Sequence, residues 1–158
     1  NESQKNTIED WARQVPIVMT SNFSIGMTIV NKMLKTCQRE IAQYFDCDIL
    51  EIHHEQKKDK PSGSALMLKK TLQGPATDRY GYQKPISVTS LRHRQIAGEH
   101  TVILCGDHEQ ITITHTADSR EIFVRGILEA VEAIPYLKPG LFSMEDLLAQ
   151  RFLQRRLL

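Results

Sequence analysis

Residues Glu51 to Leu72 constrain this chain more than any other stretch. The apolar run Ile49, Leu50 and Ile52 ends at His53-His54, and a polar segment, Lys57-Lys58-Asp59-Lys60-Pro61-Ser62-Gly63-Ser64, follows. Helical spacing then resumes at Ala65, Leu68 and Leu72. The pattern predicts a strand over Ile49 to His53, a loop to Ser62, and a helix over Ser64 to Leu72. A strand end that feeds a helix is a rigid place to gather polar groups. At the junction, unpaired backbone N–H groups and the helix dipole can hold a carboxylate or phosphate. Ser62 and Ser64 add hydroxyls there, and Gly63 admits a ligand close to the backbone. An ordinary serine cap would explain the same residues.

His53 and His54 admit two readings. Adjacent strand residues face opposite ways, so both serve one ligand only where the strand has ended. They form either a solvated pair or an ionisable cluster for proton transfer. A metal site is not expected, because only Glu55 and Asp59 stand nearby as further ligands. Lys57 and Lys58 are either surface charges or, beside an anion, a substrate-holding proton donor. Arg120 is expected in the first turn of a helix, where its charge opposes the dipole and calls for an acidic or ligand partner.

Around this segment, spacing predicts a short helix over Thr7 to Gln14 carrying Ile8, Trp11 and Ala12, and a strand over Ile17 to Met19. Thr20-Ser21-Asn22 suits a turn and helix cap. Ile25, Ile29, Met33, Cys37, Ile41 and Phe45 predict one long helix over Phe23 to Phe45, broken by Asp46 to Asp48. Gly74 to Pro85 reads as a surface connection. Strands are expected over Ile86 to Arg92, Thr101 to Cys105 and Gln110 to Thr116, with a hairpin turn at Gly106 to Glu109. A helix over Ser119 to Ile134, stopped by Pro135, a turn at Pro139-Gly140 and a capped helix start at Ser143 complete the order. The tail, Gln150 to Leu158, is basic and apolar. The expected fold class is α+β: a small, mixed, largely antiparallel sheet with helices on one face. The other face, expected to carry Val88, Ser90, Val102, Leu104, Thr112 and Thr114, would pair between subunits.

The chain has 158 residues, 41% apolar and 25% charged, with formal net charge +1. A core can form, and no overall basic field favours nucleic acid. Cys37, Cys47 and Cys105 lack CxxC spacing and suggest free thiols in a reducing, cytoplasmic setting. No run is long enough for a membrane helix and no signal peptide is visible.

His53-His54-x-x-Lys57-x-Asp59-x-Pro61-Ser62-Gly63-Ser64-Ala65-Leu66 resembles the signature of 4-hydroxy-tetrahydrodipicolinate reductases (dihydrodipicolinate reductases), in which Ser64 is usually Thr. Ser21-Asn22-Phe23-Ser24-x-Gly26, Arg92, Gly98-Glu99-His100-Thr101-Val102, His115-x-Ala117-x-Ser119-Arg120-x-x-Phe123-x-x-Gly126 and Gly140 to Met144 are similar to further family segments, in order. The resemblance runs from about Asn1 to Leu148. It implies reduction of a cyclic dicarboxylate with NADPH or NADH on the route to diaminopimelate and lysine, in a homotetramer. It implies acid roles for His53 and Lys57, and carboxylate binding by His54, Lys57, Ser62, Gly63, Ser64 and Arg120. It places Thr20, Ser21, Asn22 and Phe23 at the nicotinamide half of the cofactor. Lys60 stands where a small residue is usual. The family's glycine-rich phosphate loop has no counterpart. Residues 1–22 are therefore expected to be a remnant of a Rossmann-type nucleotide-binding domain, 23–134 the substrate and oligomerisation domain, and 135–158 a segment returning to the first. The alternative is a truncated, catalytically inactive assembly or dicarboxylate-binding module.

Overall fold

The computed structural model describes residues 2–78 and 80–154; residues 155–158 of the basic tail lie outside them. In chain order they form α1 (Glu2–Ala12), β1 (Pro16–Val18), α2 (Ile25–Thr36), α3 (Gln38–Tyr44), β2 (Asp46–His53), α4 (Gly63–Leu72), β3 (Ser87–Arg92), β4 (Gly98–Cys105), β5 (Gln110–Ala117), α5 (Glu121–Ala133), β6 (Gly140–Phe142) and α6 (Met144–Gln154). Two compact units result: Asn1–Thr28 with Glu121–Leu158, and Ile29–Arg120. The division groups α5 with the terminal segments.

In the central unit the strand order is β3-β2-β4-β5. The β2–β3 pair is parallel and the other two are antiparallel, as the expected mixed, largely antiparallel sheet requires. Strand alternation sends Cys47, Ile49, Glu51 and His53 to the covered face, where they are buried. α4 packs on β2 and α3 on α4, and α4 buries Ala65, Leu68 and Leu72 as its spacing predicts.

Register corrects the expected open face. Val102 pairs with Ile49 and Leu104 with Cys47, so both lie on the covered face, 0% and 2% exposed. Val88 pairs with Ile49 and Ser90 with Glu51, which puts them there too. Only Thr112 and Thr114 of the expected set belong to the open face. Leu50, Ile52 and Ile103 share it, half-buried, with the more exposed Leu91. Thr101 and Thr114 are joined across it at 3.0 Å.

The single long helix is also corrected. It is two helices, with Cys37 between them at φ −101° and ψ 12°. Ile29 and Met33 are about half exposed, while Met27, Leu34 and Ile41 are buried and Gln38 reaches the Leu72 carbonyl at 3.1 Å. A strict i, i+4 series advances about 40° per step around a helix and cannot stay on one face. The buried set alternates wider steps and stays aligned. Residues Asp46 to Asp48, expected to interrupt, begin β2 instead. Ser24, rather than Thr20 to Asn22, caps α2 by accepting from the Met27 N–H at 3.1 Å.

In the terminal unit β1 and β6 pair in parallel, Pro16 with Gly140 through Val18 with Phe142. The Pro139-Gly140 turn therefore leads directly into a strand that spacing did not reveal. Ala130, Met144 and Leu147 form its core with Val18, Phe23 and Phe142 against them. Gly126 is required there: a Cβ would stand 1.7 Å from the Phe23 carbonyl oxygen.

Candidate functional site

The register that builds the sheet also assembles a buried polar network. β2 places Glu51 two residues before His53, on the same face. The parallel neighbour sets Arg92 beside His53, and the antiparallel neighbour sets His100 beside Glu51. Arg92 grips Glu51 with two bonds, Nη1 to Oε2 at 3.0 Å and Nη2 to Oε1 at 2.9 Å. Such bidentate pairing suits the planar guanidinium. Arg92 also donates to the Lys57 carbonyl at 3.2 Å and the Asp59 carbonyl at 2.6 Å, pinning the loop after the strand.

Burial of Glu51 works against its ionisation, but hydrogen bonds from Arg92, Ser90 and His53 outweigh it and hold the carboxyl at about 2. An ionised carboxylate only accepts, so the proton between them belongs to His53 Nδ1, which donates to Glu51 Oε2. Burial pushes His53 below the usual histidine range, against the pull of Glu51. Its ring meets that of His100 edge-on, with centroids 5.0 Å apart. Gly98 makes room for the ring: a Cβ there would lie 3.1 Å from His53 Nε2. His100 is pushed down to about 4, first by burial and then by His53. Its Nε2 bonds Ser62 Oγ at 2.9 Å, and its buried Nδ1 has no partner among the described residues.

Glu51, His53 and His100 bring potential ligand atoms within 4.8 Å of one another. Both Glu51 oxygens already face a guanidinium, which disfavours a cation between them.

Ser62 caps α4, accepting from the Ala65 N–H at 3.2 Å. Its hydroxyl is thus engaged twice, by His100 and by the helix. Gly63 is exposed, and a Cβ there would meet nothing within 4 Å. Ser64 is 9% exposed. What the junction offers a ligand is its N-terminal amides rather than the Ser62 hydroxyl. Lys57 Nζ pairs with Asp59 Oδ2 at 2.8 Å, and that bond lowers the Asp59 carboxyl.

His54 takes the opposite course from His53. It lines a polar cavity of about 390 Å³ with Arg94, Gln95, Asp118, Ser119 and Arg120. Arg120 Nη2 lies 3.2 Å from His54 Nε2. Arginine can only donate, so Nε2 accepts and Nδ1 carries the hydrogen; that Nδ1 is buried without a partner among the described residues. Arg120 precedes α5 rather than entering its first turn. Where an acidic or ligand partner is expected, the structure gives Arg120 the imidazole of His54. The cavity brings His54 and Arg120 together, whereas Lys57, Ser62, Gly63 and Ser64 are not among its lining residues. Sequence spacing missed Glu51 and Arg94. The first could have been found from its i, i+2 relation to His53; the second carries no motif.

In the terminal unit, Thr20 to Phe23 form a tight turn. Thr20 Oγ1 donates to the Asn22 carbonyl at 3.0 Å, and Asn22 Oδ1 accepts from the Ser24 N–H at 2.7 Å. No described helix is long and apolar enough to cross a membrane.

The geometry describes an α+β domain able to hold a small anion beside a strand end. Residues 26–148 match the family model described as "Dihydrodipicolinate reductase, C-terminus", and the chain belongs to that family. The 4-hydroxy-tetrahydrodipicolinate reductase of Caldanaerobacter subterraneus subsp. tengcongensis is 37% identical to it, over 93% of this chain and 63% of that protein. That of Stenotrophomonas maltophilia (strain R551-3) is 40% identical, over 92% of this chain and 58% of its own length. The chain therefore spans less than two thirds of these relatives. A solved structure, dipicolinate-bound dihydrodipicolinate reductase from Paenisporosarcina sp. TG-14, aligns with 90% of this chain and 59% of its own at TM-score 0.65 and 19% identity. That last likeness is one of fold.

Proposed function

We propose that this chain is the substrate-binding part of an enzyme that reduces 4-hydroxy-tetrahydrodipicolinate to tetrahydrodipicolinate with NADPH or NADH, on the route to diaminopimelate and lysine. The observation that carries this reading is the His54–Arg120 pair in a polar cavity at the end of the strand that Arg92 and Glu51 brace. A small cyclic dicarboxylate matches that cavity in size and charge. The dipicolinate named with the Paenisporosarcina structure is a ligand of this chemical class.

Of the two acids, the geometry favours Lys57 as proton donor. His53 has its Nδ1 proton committed to Glu51, whereas the partly exposed Lys57 ammonium can pair with a carboxylate and give up a proton. His54, Lys57, the Ser62-Gly63-Ser64 helix start and Arg120 would hold the carboxylates. The partly exposed Thr20 to Phe23 turn would meet the nicotinamide half of the cofactor. The cofactor would supply hydride, and among the described residues there is no glycine-rich cradle for its pyrophosphate. The threonine-rich open sheet face supports homotetramer formation, and the free cysteines suit a cytoplasmic setting.

Calorimetry with dipicolinate tests the reading. The wild-type chain should bind, Lys57→Ala should weaken binding roughly tenfold or more, and neither should oxidise NADPH. Absence of dipicolinate binding at several millimolar would remove the proposal. Binding by the chain with no turnover after addition of a family nucleotide-binding portion would favour the inactive dicarboxylate-binding module instead.

A further inference from the structure

We propose that Arg94 is a specificity-determining residue of the His54 cavity, forming with Arg120 a two-cation grip for the second carboxylate of a small dicarboxylate. This rests on the reading above and adds to it a residue that no motif marks.

Arg94 sits in the turn between β3 and β4, and its backbone is clamped to the loop that follows His54. Glu55 N donates to the Arg94 carbonyl at 3.1 Å, and Arg94 N donates to Glu55 Oε1 at 3.2 Å. The His93 N–H donates to the His53 carbonyl at 2.8 Å, so the turn and the histidine pair move as one piece. Among the described residues Arg94 alone combines a side chain with a positive φ, +44°. The left-handed conformation is unfavourable for an ordinary residue, and glycine or asparagine would adopt it more readily. Non-glycine residues held there concentrate at ligand sites.

The charge pattern points the same way. The Glu55 carboxylate is engaged with the Arg94 backbone, and no ion pair to the Arg94 guanidinium is found among the described residues. Arg94 and Arg120 share one cavity with a single carboxylate residue, Asp118, in its lining. Two arginines lining one small space carry like charges that an entering anion would offset. A carboxylate meets the planar fork of arginine with two parallel bonds. With one carboxylate at His54, a second comes within reach of the Arg94 side of the same cavity only if the ligand carries two. Arg94 thereby selects dicarboxylates over monocarboxylates.

The test compares dipicolinate with picolinate, which has one carboxylate on the same ring, by calorimetry on the complete 158-residue chain. Arg94→Gln should weaken dipicolinate roughly ten- to hundredfold, the usual worth of a charge-assisted hydrogen bond, and leave picolinate within about twofold. Arg94→Gly guards against a folding artefact. It relieves the positive φ, so its melting temperature should hold or rise while dipicolinate is lost to the same extent. Equal weakening of both ligands, or of neither, overturns the proposal. If the wild type binds dipicolinate and Arg120→Gln weakens it while Arg94→Gln does not, the dicarboxylate reading stands and the Arg94 role alone falls. If the wild type binds neither ligand, both fall.

Discussion

His53 and His54 are neighbours in sequence and opposites in structure. His53 is 7% exposed, its proton held by a carboxylate that a guanidinium grips from the other side. His54 lines an open cavity and accepts from an arginine at its rim. The first belongs to a network centred on Glu51, which Arg92 grips with two bonds. The second belongs to a place with one cation pairing and room to spare. Buried, well-paired polar groups set shape, whereas half-satisfied groups at a cavity are the ones left to bind. The strand end is what permits both: alternation sends His53 inward, and termination frees His54.

That contrast is broken most severely at Glu51. Glu51→Gln leaves the nearly buried Arg92 guanidinium without its counter-charge. Removing one partner of a buried pair typically costs about 3–5 kcal/mol. Urea unfolding should show a loss of this size, with the loop over Lys57 to Asp59 becoming more susceptible to protease because Arg92 anchors it. A loss below about 1 kcal/mol would mean that the network does not brace the strand end.

Acid should dismantle the same network in two windows. His100 has its folded value lowered to about 4 from 6.5 by burial. Below pH 6.5 the unfolded chain takes up a proton that the folded chain refuses. Stability is therefore full above pH 6.5 and is lost as pH falls towards 4, by at most about 3 kcal/mol from this group. His53 and His115, also lowered first by burial, act in the same direction. Glu51 opens the second window: lowered to about 2 from 4.5, it contributes stability above pH 4.5 that is lost towards pH 2. Urea midpoints measured from pH 7.5 to 3.5 should fall below pH 6.5, and His100→Gln should flatten the upper part of that fall. A flat profile between pH 6.5 and 4.5 in the wild-type chain contradicts the assignment of His100 as a buried neutral ring.

The sequence carried some of this and not the rest, for identifiable reasons. Alternation at Ile111 and Ile113 and the turn residues around it marked β5, and the change of period after Ser62 marked α4. Both signals are local. Glu51 and Arg92 meet across 41 positions, and no local period encodes which strand lies beside which. Strand register likewise decided the open face, placing Val102 and Leu104 inward although they alternate correctly in their own strand. β6 escaped because three residues after Pro139-Gly140 are too short to show a period. Arg120 drew attention through its conflict with a helix dipole, yet its His54 contact is a tertiary fact. Arg94 gave no signal at all, since a positive φ at an arginine is imposed by its clamped turn.

The smallest effect separates the two histidines most cleanly. His54→Ala removes a ring whose Nδ1 is buried without a partner among the described residues. Deleting an unsatisfied donor relieves a desolvation penalty, which offsets the lost Arg120 contact, itself an exposed and weak pairing. The net change in stability should stay within about 0.5 kcal/mol, as for surface substitutions generally. His53→Ala, by contrast, opens space beside Gly98 and strips Glu51 of a donor, so it should cost at least about 2 kcal/mol. Dipicolinate affinity inverts the order of interest: His54→Ala should lose roughly tenfold while the fold is intact. If the two alanine variants unfold at the same urea concentration, His54 is as structural as His53, and the division of labour at the strand end is wrong.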